Sequence, residues 1–154
     1  MLTFAARLSL LGPLRVMDGG NRFNAYRVAR ALRGLERGSM SRALARISLA
    51  RAFTCYQMAS MLEQAPAAPV PMLVIDFLDT FYDQSVPLVE RRRLLGRCLE
   101  RLQDLSLRAA VVISLRPPRP PQTDPTGLQQ AVQAAADQVW FQEELQPVAP
   151  LRLF

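Results

Sequence analysis

The sequence contains neither lysine nor histidine, and only two cysteines. Without histidine it cannot form the usual mixed zinc-ligand cluster, and two cysteines are too few for a disulfide framework. We therefore expect Cys55 and Cys98 to be reduced, structural thiols. All 19 basic residues are arginine, against 13 acidic residues, which gives a formal net charge of +6. This charge favours contact with polyanions but does not mark a site.

Long apolar runs are also absent. Arg7 and Arg15 interrupt the apolar N-terminus, so no stretch approaches the roughly 18 residues that a membrane-spanning helix needs. Pro13 and the lack of a small-residue cleavage site argue against a secretory signal peptide. We therefore expect no membrane partner and a cytoplasmic location. A hydrophobic content of 50% over 154 residues predicts one folded domain spanning residues 1–154.

Helical and strand-like segments alternate along the chain. The 3.6-residue and short apolar patterns predict helices at 3–11, 25–35, 56–62, 90–105 and 128–136, and strands at 14–17, 47–53, 72–75, 109–115 and 138–142. The proline-rich residues 116–125 predict a loop. Alternation of this kind predicts an α/β fold with a mostly parallel sheet and helices on both faces.

Polar residues follow three of the predicted strands. In sheets of this class ligands bind beyond the carboxyl ends of the strands, so these residues are the first candidates for a site. Carboxylates there suit a divalent metal, and an arginine suits an anion. The candidates are Asp18 and Asn21 after the first strand, Asp76, Asp79 and Asp83 after the third, and Ser114 and Arg116 after the fourth.

Several segments, in order, resemble the RecA/RadA recombinase family of ATPases. Met72-Leu-Val-Ile-Asp76 is similar to the Walker B strand, whose aspartate holds magnesium. The other similar segments are 16–27 (second core strand and the helix start after it), 48–58 (third strand and helix entry), and 90–105 with 110–114 (long helix and next strand). The resemblance spans residues 14–115 and implies a RecA-like core.

Two features of that family are missing. Its phosphate-binding loop needs glycine N–H groups and a lysine, and this sequence has no such loop, although residues 3–11 resemble the helix that follows it. The family's catalytic glutamate matches Gly20, which has no side chain. We therefore expect no catalysis and no cofactor in this chain. Mg-ATP would enter only if missing upstream sequence or a partner supplied the loop.

The resemblance also assigns contact residues. It implies magnesium at Asp76, a nucleotide or anion at Asp18 and Arg116, and nucleic acid at Arg116, Arg119, Arg91 and Arg92. A turn-capping aspartate and solvated arginines are the ordinary alternatives. The family's first strand lies centrally in its sheet, so a protein partner or a second copy should cover the open sheet region. DNA is a further candidate partner.

The predicted function is a non-catalytic RecA-like binding or assembly module in DNA repair or recombination. One alternative is the core of an ATPase whose phosphate loop lies upstream. A second is a metal-dependent nuclease, because Asp18-Gly-Gly-Asn21 also resembles the first motif of NYN/PIN-like nucleases. Asp76, Asp79 and Asp83 would then supply further carboxylates for metal-assisted hydrolysis.

Overall fold

A computed structural model describes residues 1–35, 40–116 and 127–141, with Leu35 described by its backbone alone. Within these ranges helices and strands alternate as the sequence predicts. The helices are α1 (Leu2–Leu11), α2 (Ala25–Leu35), α3 (Met40–Ala45), α4 (Cys55–Gln64), α5 (Leu88–Ser106) and α6 (Leu128–Ala134). The strands are β1 (Leu14–Asp18), β2 (Ile47–Arg51), β3 (Met72–Ile75) and β4 (Val111–Ile113), and a 3₁₀ turn covers Phe77–Phe81.

The four strands form one parallel sheet in the order β2-β1-β3-β4. In register, Val16 of β1 lies between Leu49 of β2 and Leu73 of β3, and Leu73 in turn pairs with Val112 of β4. All four residues of β3 are buried, as expected for a central strand with helices on both faces.

Alternating strand residues contribute to two separate apolar cores. Val16 and Leu73 join the core of α1, α2 and α3, which includes Val28 and Leu32 of α2. Met17, Met72 and Val74 join the second core, which α4, α5 and α6 complete. Because successive strand side chains point to opposite faces, the two cores place helices on both sides of the sheet. The predicted fold class is confirmed.

Local hydrogen bonds fix the ends of several helices. Thr54 caps α4, its hydroxyl accepting the N–H of Gln57 at 3.2 Å. At the C-terminus of α1, Arg46 donates to the carbonyl oxygens of Ser9 and Leu10 at 3.3 and 2.9 Å, which satisfies acceptors in the last turn. These bonds satisfy backbone groups that the helix ends would otherwise leave without a partner.

The structure differs from the sequence predictions in three places. Helix α3 and the 3₁₀ turn were not predicted, because six and five residues are too few to show a clear apolar period. The strand predicted at 138–142 is wrong for residues 138–141, which form no strand and leave Trp140 and Phe141 exposed. Strand propensity alone does not make a strand without a neighbour to pair with.

No helix in the described ranges is both long and apolar enough to cross a membrane.

Candidate functional site

Charged side chains lie together at the carboxyl ends of all four strands. Asp18 ends β1 and Arg51 ends β2, while Asp76 follows β3 directly. Arg22 lies in the turn after β1, and Arg116 follows β4. Because all strands run parallel, these ends lie at one edge of the sheet. We call these five residues the carboxyl-edge cluster.

Asp76 forms the centre of the cluster. Its side chain is 7% exposed, and its Oδ2 atom lies 3.3 Å from Arg22 Nε and 3.4 Å from Arg116 Nε. Its backbone N–H donates to the Ser114 hydroxyl at 2.9 Å, and that hydroxyl lies 3.3 Å from Oδ1. Its φ of 50° is in the left-handed region, which aspartate enters more readily than most residues. One buried carboxylate thus faces two guanidinium groups.

Asp18 holds the turn that follows β1. It is fully buried and accepts the backbone N–H groups of Arg22 at 3.0 Å and of Phe23 at 2.8 Å. Arg51 Nε lies 3.4 Å from its Oδ2, and Arg51 also donates to the carbonyl oxygen of Phe23 at 2.8 Å. Asn21, with φ of 51°, lets the chain reverse. Asp18 therefore fixes the position from which Arg22 reaches Asp76.

Gly20 packs directly on Asp76. A Cβ at Gly20 would lie 2.7 Å from the Asp76 Cβ, 2.8 Å from its Oδ2 and 3.0 Å from Asp79 Oδ2. The preceding Gly19 is equally close, since its Cβ would lie 2.8 Å from the Asp76 carbonyl oxygen. Contacts this short do not occur for real Cβ atoms, so both positions require glycine in this geometry.

No protein-family model and no curated protein matches the chain. Among solved structures, the crystal structure of the RadB recombinase is similar, with a TM-score of 0.52 and 19% sequence identity. The match covers 85% of this chain and 64% of the RadB chain, so the chain spans somewhat less than two thirds of that neighbour's length. The fold is RecA-like.

The surroundings of Asp76 bear on the predicted magnesium site. The sequence likens Asp76 to a Walker B aspartate, and in the structure its Oδ2 lies beside Arg22 and Arg116. A divalent cation at that oxygen would stand next to both guanidinium groups, which Coulomb repulsion opposes. In the described part of the chain, no group of three or more histidine, cysteine or acidic side chains is arranged to hold a metal ion. Magnesium at Asp76 stays a prediction.

The remaining predicted contact residues lie in different surroundings. Arg91 is buried at the start of α5, where it donates to the carbonyl oxygen of Phe81 at 3.1 Å. Its Nε atom has no hydrogen-bond partner within the part of the chain that the structure describes. Arg92 and Arg116 are exposed. Arg119, and most of the predicted loop at 116–125, lie outside the described residues. The predicted contacts with nucleic acid therefore depend on Arg92 and Arg116 more than on Arg91.

Asp83 lies apart from the charged cluster and is exposed. It accepts the Ser85 N–H at 2.9 Å, and this bond holds the pKa of its carboxyl group below the usual range. It caps a turn.

The sequence predictions missed Arg22 and Arg51 as partners of the two aspartates. Arg51 ends β2 and so satisfies the same strand-end rule that selected Asp18, but the predicted strand ran on to residue 53. Arg22 lies four residues after Asp18, where a turn bound to that carboxylate would place it. Strand ends taken with the turn after them would have found both.

Proposed function

We propose that this chain is a non-catalytic RecA-like binding or assembly module that acts in DNA repair or recombination. The observation that carries the proposal is the contact of Asp76 with both Arg22 and Arg116. In this arrangement protein side chains neutralise the carboxylate that a RecA-like ATPase would use for its metal. The similarity of the fold to the RadB recombinase supports the choice of biological setting.

The packing at Gly20 also supports the absence of hydrolysis. The resemblance to recombinases puts a catalytic glutamate at this position, and a side chain here would collide with Asp76. A general base must reach the attacking water within hydrogen-bond distance. A module with this geometry lacks that base even when a partner supplies a phosphate-binding loop.

The charge of the cluster favours anions over cations. Arg22, Arg51 and Arg116 each expose more than a third of their side chains, whereas Asp18 and Asp76 are buried, so the cations of the cluster are the groups that an incoming ligand meets. An arginine meets a phosphate with two parallel hydrogen bonds. We therefore propose that the carboxyl-edge cluster binds nucleic-acid phosphate.

The test measures nucleotide binding and DNA binding on the same purified chain. The nucleotide probe is a fluorescent ATP analogue with magnesium, followed by anisotropy and by phosphate release. We expect neither saturable binding nor phosphate release, from the wild type and from Gly20→Glu alike. Saturable binding of the analogue would overturn the proposal in favour of an ATPase.

The DNA probe is a labelled single-stranded oligonucleotide, titrated across a salt series. We expect affinity to fall with salt, because each phosphate contact releases counterions. Arg116→Ala should weaken binding and reduce the salt slope by about one. Arg27→Ala, on the exposed side of α2, is the matched control and should change neither the affinity nor the slope.

Two results would contradict the DNA part of the proposal. Equal losses from Arg116→Ala and Arg27→Ala would mean that DNA responds to net charge alone. Magnesium-dependent cleavage of the oligonucleotide would favour the nuclease alternative.

A further inference from the structure

The outer edge of β4 has no neighbouring strand among the described residues. Toward β3, the carbonyl oxygen of Ala110 accepts the Met72 N–H at 3.0 Å, and the Ser114 N–H donates to the Val74 carbonyl oxygen at 2.9 Å. In a parallel ladder alternate residues bond to the same neighbour. The backbone groups of Val111 and Ile113 therefore point away from β3, toward the open edge.

The side chains of β4 indicate that this edge is incomplete. All three residues are apolar and only partly buried, whereas every residue of β3 is buried. Ile113 packs against the core of α4 and α5, and Val112 against the core on the opposite face. An apolar edge strand with helices on both faces invites pairing with another chain.

The charges at both ends of β4 restrict what can lie beside it. Arg108 is exposed three residues before the strand. Arg116, three residues after the strand, is exposed while its Nε lies 3.4 Å from Asp76 Oδ2. Antiparallel pairing of two copies about Val112 would set Arg108 of one copy opposite Arg116 of the other. Like charges directly opposite one another destabilise a strand pair. An incoming segment with acidic residues at its ends would instead be attracted at both.

We propose that β4 binds an extended apolar segment of another protein, with acidic residues at each end, as a fifth strand of the sheet. Main-chain hydrogen bonds to Val111 and Ile113 would supply affinity, and Arg108 and Arg116 would select acidic flanks. This interaction goes beyond the proposed function, because it requires neither nucleotide nor DNA.

The probe is a fluorescein-labelled peptide with five alternating valine and threonine residues between two glutamates at each end. Its binding to the full chain is measured by anisotropy, without nucleotide or DNA, so that the result is independent of the proposed function. We expect saturable binding that weakens with salt. A peptide with lysine in place of glutamate should bind about tenfold more weakly, which corresponds to about 1.4 kcal/mol.

Two variants test the place of binding. Ile113→Pro removes an outward N–H without breaking a bond to β3, and proline is tolerated at such edge positions. We expect it to weaken binding about tenfold. The matched control is Leu49→Pro in β2, because the bonds of Leu14 to Arg46 and of Ala52 to Asp18 show that Leu49 also faces outward at the opposite edge. The control should bind as the wild type does.

A charge exchange keeps the test valid if either proline variant unfolds by circular dichroism. Arg108→Glu should weaken binding of the glutamate peptide and strengthen binding of the lysine peptide. Equal binding of both peptides to the wild type, or equal losses from Ile113→Pro and Leu49→Pro, would overturn the proposal. So would a wild-type dimer in sedimentation that Ile113→Pro dissociates, since the edge would then belong to a second copy.

Discussion

Replacing Gly20 by alanine tests the contact on which the proposed loss of catalysis rests. The new methyl group would lie 2.7 Å from the Asp76 Cβ and 2.8 Å from its Oδ2, whereas ordinary contacts begin near 3.4 Å. Asp76 cannot easily retreat, because it is buried, its N–H donates to the Ser114 hydroxyl, and its Oδ2 lies beside Arg22 and Arg116. Overpacking of this kind costs about 1–3 kcal/mol.

The expected magnitude follows from the size of the chain. A loss of about 2 kcal/mol in the free energy of unfolding lowers Tm by about 4–8 °C for a chain of this length. The matched control is Gly34→Ala inside α2, where a Cβ meets no atom of the described residues within 4 Å. There alanine should stabilise the helix by about 0.5–1 kcal/mol. Urea unfolding followed by circular dichroism measures both variants.

A second variant identifies the cause of the loss. In an Asp76→Gly background the two closest atoms are gone and only Asp79 Oδ2 remains, at 3.0 Å. Gly20→Ala should therefore cost less, and the coupling energy reports the contact with Asp76. A Gly20→Ala protein as stable as the wild type would refute the close packing. It would also reopen the position to a catalytic side chain.

Two further predictions concern buried groups. Asp18→Ala leaves the Arg22 and Phe23 N–H groups without their acceptor and should cost about 3 kcal/mol by urea unfolding, with Asp18→Asn costing less; equal costs would refute the role of the oxygens. Burial, with a smaller contribution from Glu63, raises the pKa of Cys98 to about 12, above the value near 8.5 of an unfolded thiol. The unfolded chain therefore loses this proton first, so stability should fall as pH rises from about 9 toward 12. No lysine titrates in this range, and Cys98→Ala should flatten the decline in the urea midpoint; an unchanged slope would contradict it.

The sequence was informative wherever one period or one strand end determined the outcome. Four consecutive apolar residues were enough to place β3, and the strand-end rule brought Asp18, Asp76 and Arg116 to one edge. The sequence alone could not show which arginine pairs with which aspartate. Which of 19 arginines reaches Asp76 depends on strand order, since β1 and β4 flank β3 and deliver Arg22 and Arg116 from opposite sides.

The close approach of Gly20 to Asp76 could not be predicted either. The resemblance to recombinases marks Gly20 as a position without a side chain, but only the folded turn shows that a Cβ there would meet the Asp76 side chain. Nothing in the local pattern indicates a positive φ at an aspartate. The extent of the domain over residues 1–154 stays a prediction.

The central place of β1 has a consequence for the order of folding. Its two neighbours, β2 and β3, come later in the chain, and β3 begins only at Met72. Parallel pairing between distant segments is slow because loop closure must precede the contacts that reward it. During synthesis the side chain of Met17 therefore remains uncovered, because every other buried residue of its core lies at Ala52 or later. Chaperones that bind short apolar segments have their longest opportunity at this strand.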